Sequence, residues 1–215
     1  MTRRRLLSLY RRLLRAYGPQ DWWPANSAFE VIVGAVLTQN TAWINVERAI
    51  ANLKAQKCLA PKRILALPIE CLAEHIRPSG YFNIKARRLR NLCQWMEGEG
   101  GLRTLRRRPT DSLRAGLLSV NGVGPETADD ILLYAFDRPV FVIDAYTRRL
   151  LRRLEWIEGD EDYETLRAAF ETVLPPDAAL FNEYHALIVR HAKEKCGGSR
   201  TCRHCDVERK LKVKS

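Results

Sequence analysis

Residues Leu113 to Phe136 leave few folds open to this chain. Leu113, Leu117, Leu118 and Val120 recur at helical spacing, Asn121-Gly122-Val123-Gly124 breaks the run, and Pro125-Glu126 opens a second apolar face that continues through Ile131, Leu132, Leu133 and Phe136. Two glycines able to take φ > 0 predict a tight reversal between two helices. Pro125 suits the first position of the second helix, and Glu126 favours its positive end. Open backbone N–H groups beside such a helix start make a natural seat for a phosphate, which places Gly122, Val123 and Gly124 at an anion. The bland alternative is an ordinary turn, since a bare Gly-x-Gly is usually nothing more.

The remainder of the chain is also patterned for helices. Leu6, Leu7, Tyr10, Leu13 and Leu14 lie at helical spacing among arginines, which predicts a basic amphipathic helix ended by Gly18-Pro19. Trp22-Trp23-Pro24 fits neither helical nor strand spacing, so the rings serve either as a stacking surface or as a plug between that helix and the core. Phe29 to Leu37 is apolar on nearly all sides and predicts a buried helix in which Gly34 and Ala35 permit close packing. Periodicity continues from Val46 to Leu53 and from Ile64 to Leu67, with Pro61 and Pro68 at helix starts. A turn-rich stretch, Arg77 to Asn83, precedes a helix bearing Lys85, Arg87, Arg88 and Arg90, read either as a solvated basic face or as a phosphate-tracking one. Helices are expected again at Leu150 to Leu154, Tyr163 to Leu174 and Ala179 to His191. No βαβ pattern appears, so the fold class is all-α.

With 215 residues and 46% apolar content the chain can bury a core in one compact unit or two joined lobes. Its 36 basic against 25 acidic residues, net charge +11, favour a polyanionic partner without choosing among DNA, RNA and acidic protein. The longest apolar run, near Val31 to Leu37, is too short to span a membrane, and the basic N-terminus lacks the apolar core and cleavage site of a secretion signal. A cytoplasmic protein with no membrane partner is expected. Of six cysteines, Cys58, Cys71 and Cys93 fall within helix-like sequence and are expected as buried thiols, whereas Cys196, Cys202 and Cys205 cluster.

Gly122 to Ala128 resembles the helix-hairpin-helix of the endonuclease III superfamily of DNA glycosylases. Val142-Ile143-Asp144-Ala145-Tyr146 stands where that family carries its catalytic aspartate, and Leu37 to Thr41 reproduces its LTQNT motif. The resemblance runs from about Trp22 to the C-terminal cysteines. It implies a two-lobed fold with the active-site groove between the lobes: a helical module over 27–137, a second lobe from 1–26 and 138–195, and a basic Cys-containing loop over 196–215. It further implies that the partner is double-stranded DNA with a damaged base, met on the nucleoid by a monomer. Gln39 would enter the DNA stack beside Asn40, and Gly122, Val123, Gly124 and Thr127 would contact the backbone. Asp144 would offset the oxocarbenium charge of the breaking N-glycosidic bond. Its plain alternative is a helix N-cap.

Bifunctional members carry a lysine two residues after the second glycine of the hairpin, and its amine attacks the sugar. Glu126 stands there in this chain, which implies a monofunctional glycosylase. Trp22-Trp23-Pro24, the LTQNT motif followed by Trp43, Arg77-Pro78-Ser79-Gly80 and Asp129 are together similar to the bacterial type III 3-methyladenine DNA glycosylases. That likeness implies a base pocket of Trp22, Trp23, Pro24, Trp43 and Glu126, in which electron-rich rings favour a cationic base. Other glycosylases of this superfamily, and a helix-hairpin-helix DNA-binding protein without catalysis, are the competing readings. Cys196, Cys202 and Cys205 resemble the family's iron–sulfur loop, but Leu211 stands where its fourth Cys is expected. A [4Fe–4S] cluster with a non-Cys ligand, a zinc site recruiting His204 or His191, and a loop without metal all stay open.

Overall fold

The computed structural model describes residues 1–196, and every regular element among them is helical. Two compact units divide the chain, one from Met1–Pro24 with Asp137 onward and one from Ala25–Phe136. No helix among the described residues is long and apolar enough to cross a membrane.

The first unit holds α1 (Arg3–Tyr17), α10 (Ala145–Arg153), α11 (Tyr163–Glu171) and α12 (Ala178–Lys195). Its core is aromatic. Phe141 stacks on Phe170 at 3.9 Å between ring centroids and meets Phe181 and Tyr184 edge-on. The Tyr184 hydroxyl donates 2.8 Å to the Leu6 carbonyl, which ties α1 to α12 and satisfies a phenol that burial would otherwise leave short of a partner. The buried face of α1 centres on Leu6, Leu9 and Leu13, whereas Leu7, Tyr10 and Leu14 lie at its margins. Periodicity found Leu6 and Leu13 but passed over Leu9, because Leu7 and Leu14 are as apolar as Leu9.

In the second unit α2 (Ala28–Leu37) is the centre, buried at every position from Phe29 to Leu37 as its composition predicts. Ser27 caps it by accepting from the Glu30 N–H, while Glu30 accepts from the Asn26 N–H; Glu30 also pairs with Lys54. Around α2 lie α3 (Trp43–Ala55), α4 (Pro61–Ala66), α5 (Ile69–His75), a 3₁₀ turn at Arg77–Ser79, α6 (Phe82–Gly98), α7 (Gly101–Leu105), α8 (Thr110–Leu118) and α9 (Pro125–Asp130). Pro61 and Pro125 each open their helix, where the missing N–H costs nothing.

Three expectations need correction. Ile131–Ala135 is a π-helical turn that widens the end of α9, not a continuing α-helix. Lys85 is buried, not solvated: its Nζ donates 2.9 Å to the Leu37 carbonyl and 2.6 Å to the Ser79 carbonyl, joining the C-terminus of α2 to the 77–80 turn. Of the three scattered cysteines only Cys93 is buried, its thiol pushed up to about 12 by burial and by Glu97; Cys58 is half-buried and Cys71 exposed. Helical spacing gave no warning, since Cys71 lies on the solvent side of a two-turn helix.

Candidate active site

In the second unit the reversal between α8 and α9 is built on one glycine. Gly122 has φ +100° and lies so close to the Arg88 side chain that a Cβ would collide with it. Gly124 is extended at φ −93° and is the N-cap of α9, so the expectation of two left-handed glycines holds for Gly122 only. Val123 is buried and its N–H donates to the Val120 carbonyl, closing the turn.

Gln39 joins this hairpin to the end of α2. Its Nε2 donates 2.9 Å to the Thr127 hydroxyl and 3.3 Å to the Gly122 carbonyl, while its Oε1 accepts from Arg88. Thr127 is therefore buried and committed to Gln39, whereas Asn40, at φ +53°, and Glu126 are exposed. Asp129 is wholly buried and is held by both sides of the Arg114 guanidinium, at 2.7 and 3.1 Å. Its position in the motif thus serves to clamp α8 to α9. Trp43 opens α3 half-buried, with its indole N–H donating 2.9 Å to Glu47.

Asp144 belongs to the first unit. The buried apolar run Val140-Phe141-Val142-Ile143 delivers it, pinned by the Phe141 N–H donating 2.8 Å to Glu171 and the Ile143 N–H donating 3.4 Å to the Tyr163 hydroxyl. The carboxylate is the N-cap of α10, with Oδ1 accepting from the Thr147 N–H at 2.7 Å. Its Oδ2 faces His185 Nε2 of α12 at 3.6 Å, and the two side chains are only 13% and 6% exposed. Burial pushes the carboxyl upward, but the neighbouring imidazole and the Thr147 N–H outweigh it and hold the group below its ordinary value. Capping and chemistry are compatible, because the cap uses one oxygen and leaves the other beside a buried imidazole. Sequence reasoning missed Tyr163, Glu171 and His185, whose only signal was polarity on otherwise apolar helical faces.

Trp22 and Trp23 are half-buried with ring centroids 5.4 Å apart, and Pro24 is exposed. They are neither core nor fully solvated. Trp22 lines a cavity of about 270 Å³ together with Gln20 and the α12 residues Ala186, Val189, Arg190 and Lys193. Cys196 ends α12 as a buried thiol, and Cys202, Cys205 and His204 lie outside the described residues. His191 is buried with Nδ1 2.8 Å from the Tyr17 hydroxyl. No group of ligating side chains among the described residues is arranged to hold a metal ion.

Relatives confirm the architecture. At 47% identity over 206 residues, 94% of each chain, the sequence aligns with the "Putative DNA repair glycosylase MJ1434" of Methanocaldococcus jannaschii. A Helicobacter pylori 3-methyladenine DNA glycosylase (MagIII) bound to 1,N6-ethenoadenine superposes with a TM-score of 0.74 at 31% identity, over 91% of this chain and 99% of that one. A non-covalent Endonuclease III–DNA complex gives a TM-score of 0.81 at 21% identity, over 96% and 94% of the two chains, a likeness of fold. Residues 33–176 match the family model that describes the HhH-GPD superfamily base excision DNA repair protein. With the glycine hairpin, the Asp144 cap and these relatives agreeing, the chain belongs to the HhH-GPD superfamily of base excision DNA repair proteins.

Proposed function

We propose that this chain is a monofunctional DNA N-glycosylase that hydrolyses the bond between sugar and a damaged base flipped out of double-stranded DNA, with 3-methyladenine as its substrate. The observation that carries the proposal is Asp144: a carboxylate held ionised by its surroundings, with one oxygen fixed by the Thr147 N–H. Such a group offsets positive charge on the sugar as the base departs and orients the incoming water. A cationic base leaves readily, so one carboxylate and stacking surfaces suffice.

The absence of lyase chemistry rests on Glu126, because a carboxylate forms no imine with the sugar. Lys85 does not substitute for the missing lysine. Although its amine is lowered to about 8 by burial and the Arg88 charge, it is buried and donates to two backbone carbonyls. For the substrate, the support is the pair of half-buried tryptophans at 22 and 23, Trp43, and the likeness to the H. pylori enzyme, which acts on 3-methyladenine by name. Electron-rich faces attract a cationic base by ~0.5–2 kcal/mol per good contact beyond what a neutral base gains. The protein works as a monomer in the cytoplasm, on the nucleoid. Whether its last three cysteines hold a cluster, zinc or nothing is decided by elemental analysis for iron and zinc.

The test is direct. Purified protein is incubated with methylated duplex DNA and every released base is identified by chromatography. Free 3-methyladenine in excess over hypoxanthine and uracil supports the substrate; release of another base alone keeps the glycosylase and discards the substrate; no release from any damaged duplex leaves a DNA-binding protein.

A further inference from the structure

We infer that His185 is a positioning residue for Asp144, fixing the orientation of the carboxylate oxygen that the helix cap leaves unheld. The inference rests on the reading of Asp144 as the catalytic carboxylate.

A carboxylate anchored through one oxygen retains rotation about its Cβ–Cγ bond, so the second oxygen sweeps an arc. In Asp144 the anchor is Oδ1, fixed by the Thr147 N–H at 2.7 Å. Oδ2 is the oxygen left to meet developing charge or water, and the ring of His185 stands against it at 3.6 Å. That separation is a close approach slightly longer than a hydrogen bond. Catalytic contacts are often long before substrate is present and tighten in the complex. His185 cannot easily swing away. It is 5% exposed, and α12 is seated on one side by the Tyr184 hydroxyl on the Leu6 carbonyl and by Tyr17 on His191.

Several other charged or titratable groups on the packed elements are engaged elsewhere. From α1, Tyr10 lies on the Tyr184 ring; from α10, Arg153 donates to the Lys195 carbonyl and Arg149 sits over Tyr146. On α12 itself Lys193 also sits over Tyr146, Arg190 pairs with Glu194, and Glu183 accepts from the Gln20 N–H. Asp144 is the acid whose Oδ2 stands 3.6 Å from His185. An imidazole there does two things that a leucine of similar size cannot: it offers an N–H toward Oδ2, and it favours the ionised form of the carboxyl.

Variants of His185 and of Asp144 test this. His185→Ala is expected to lower single-turnover excision from methylated duplex DNA by about 10- to 100-fold, the scale of a misplaced reacting group, while affinity for undamaged duplex stays within about twofold. His185→Gln keeps an N–H donor and is expected to recover part of the rate. Independently of any substrate, 13C NMR titration of the Asp144 carboxyl, assigned by its loss in Asp144→Asn, is expected to show its pKa moving upward in both variants. If His185→Ala does not fold, His185→Gln with its melting curve carries both readouts. An unmoved Asp144 titration together with unchanged excision overturns the inference. Asp144→Asn separates the two levels: if it abolishes excision while the His185 variants excise normally, only the role of His185 fails; if it excises normally, the catalytic reading of Asp144 fails and the inference with it. In the double variant the His185 change is expected to have no further effect, since positioning acts only through the carboxylate.

Discussion

Asp144→Asn keeps the volume and the N-cap acceptor but removes the charge. Excision is expected to fall by at least ~100-fold, the usual size of a lost electrostatic contact to the transition state, with DNA affinity unchanged or slightly tighter because a negative charge near phosphates has gone. Single-turnover rates and equilibrium binding on one duplex decide it. The same carboxyl links stability to acid. Its folded-state pKa is depressed, so its contribution is fully present above the ordinary carboxylate value and is lost as pH falls through the lower folded value. Lys85 runs the other way. Burial disfavours its charged form and lowers it to about 8, so between that pH and the ordinary lysine value the unfolded chain binds the extra proton. Stability contributed by this group therefore rises with pH across that window, and Lys85→Met is expected to flatten the rise in a urea-melt series. At the hairpin, Gly122→Ala forces a Cβ toward Arg88 at φ +100° and is expected to cost about 1–3 kcal/mol. Arg114→Ala should be worse, about 3–5 kcal/mol, because it leaves Asp129 buried without its guanidinium.

Among the elements, the α8–α9 hairpin carries the proposed absence of strand cleavage. With Glu126 in the first turn of α9, no covalent adduct is expected when protein and damaged or abasic DNA are treated with borohydride; efficient trapping would sink the monofunctional reading. This hairpin was legible in the sequence because glycine and proline act locally, each through its own backbone constraint. So was α2, where nine consecutive buried residues left no polar face to misread. The network around Gln39 was not legible, since hydrogen bonds to Thr127, Gly122 and Arg88 join residues 49 to 88 positions apart. Nor was Lys85, whose burial depends on two carbonyls that only the folded chain brings within reach. The same holds for His185, one of two buried histidines in α12 and, in sequence, indistinguishable from a core residue.

At the scale of the molecule, the charge of +11 was countable before any fold was known, and it predicts how binding responds to salt. Affinity for undamaged duplex is expected to fall steeply and linearly on a log–log plot, by about 10³–10⁵ between 50 and 200 mM salt if 6–10 phosphates are contacted. A flat dependence would remove DNA backbone as the partner of that charge. Apolar composition was sufficient for a core but silent on its partition; the two units divide at Pro24 and Phe136, next to residues that no shift in composition marks.

The Arg114–Asp129 clamp has a consequence for descent. Loss of Arg114 alone removes the guanidinium from a wholly buried carboxylate, and loss of Asp129 alone removes the carboxylate from a largely covered guanidinium, whereas replacing both by apolar side chains of similar size can restore a sound core. A lineage of such chains can therefore leave this pair only through an unfit intermediate or by a rare simultaneous change, and the two positions should be inherited as a single character.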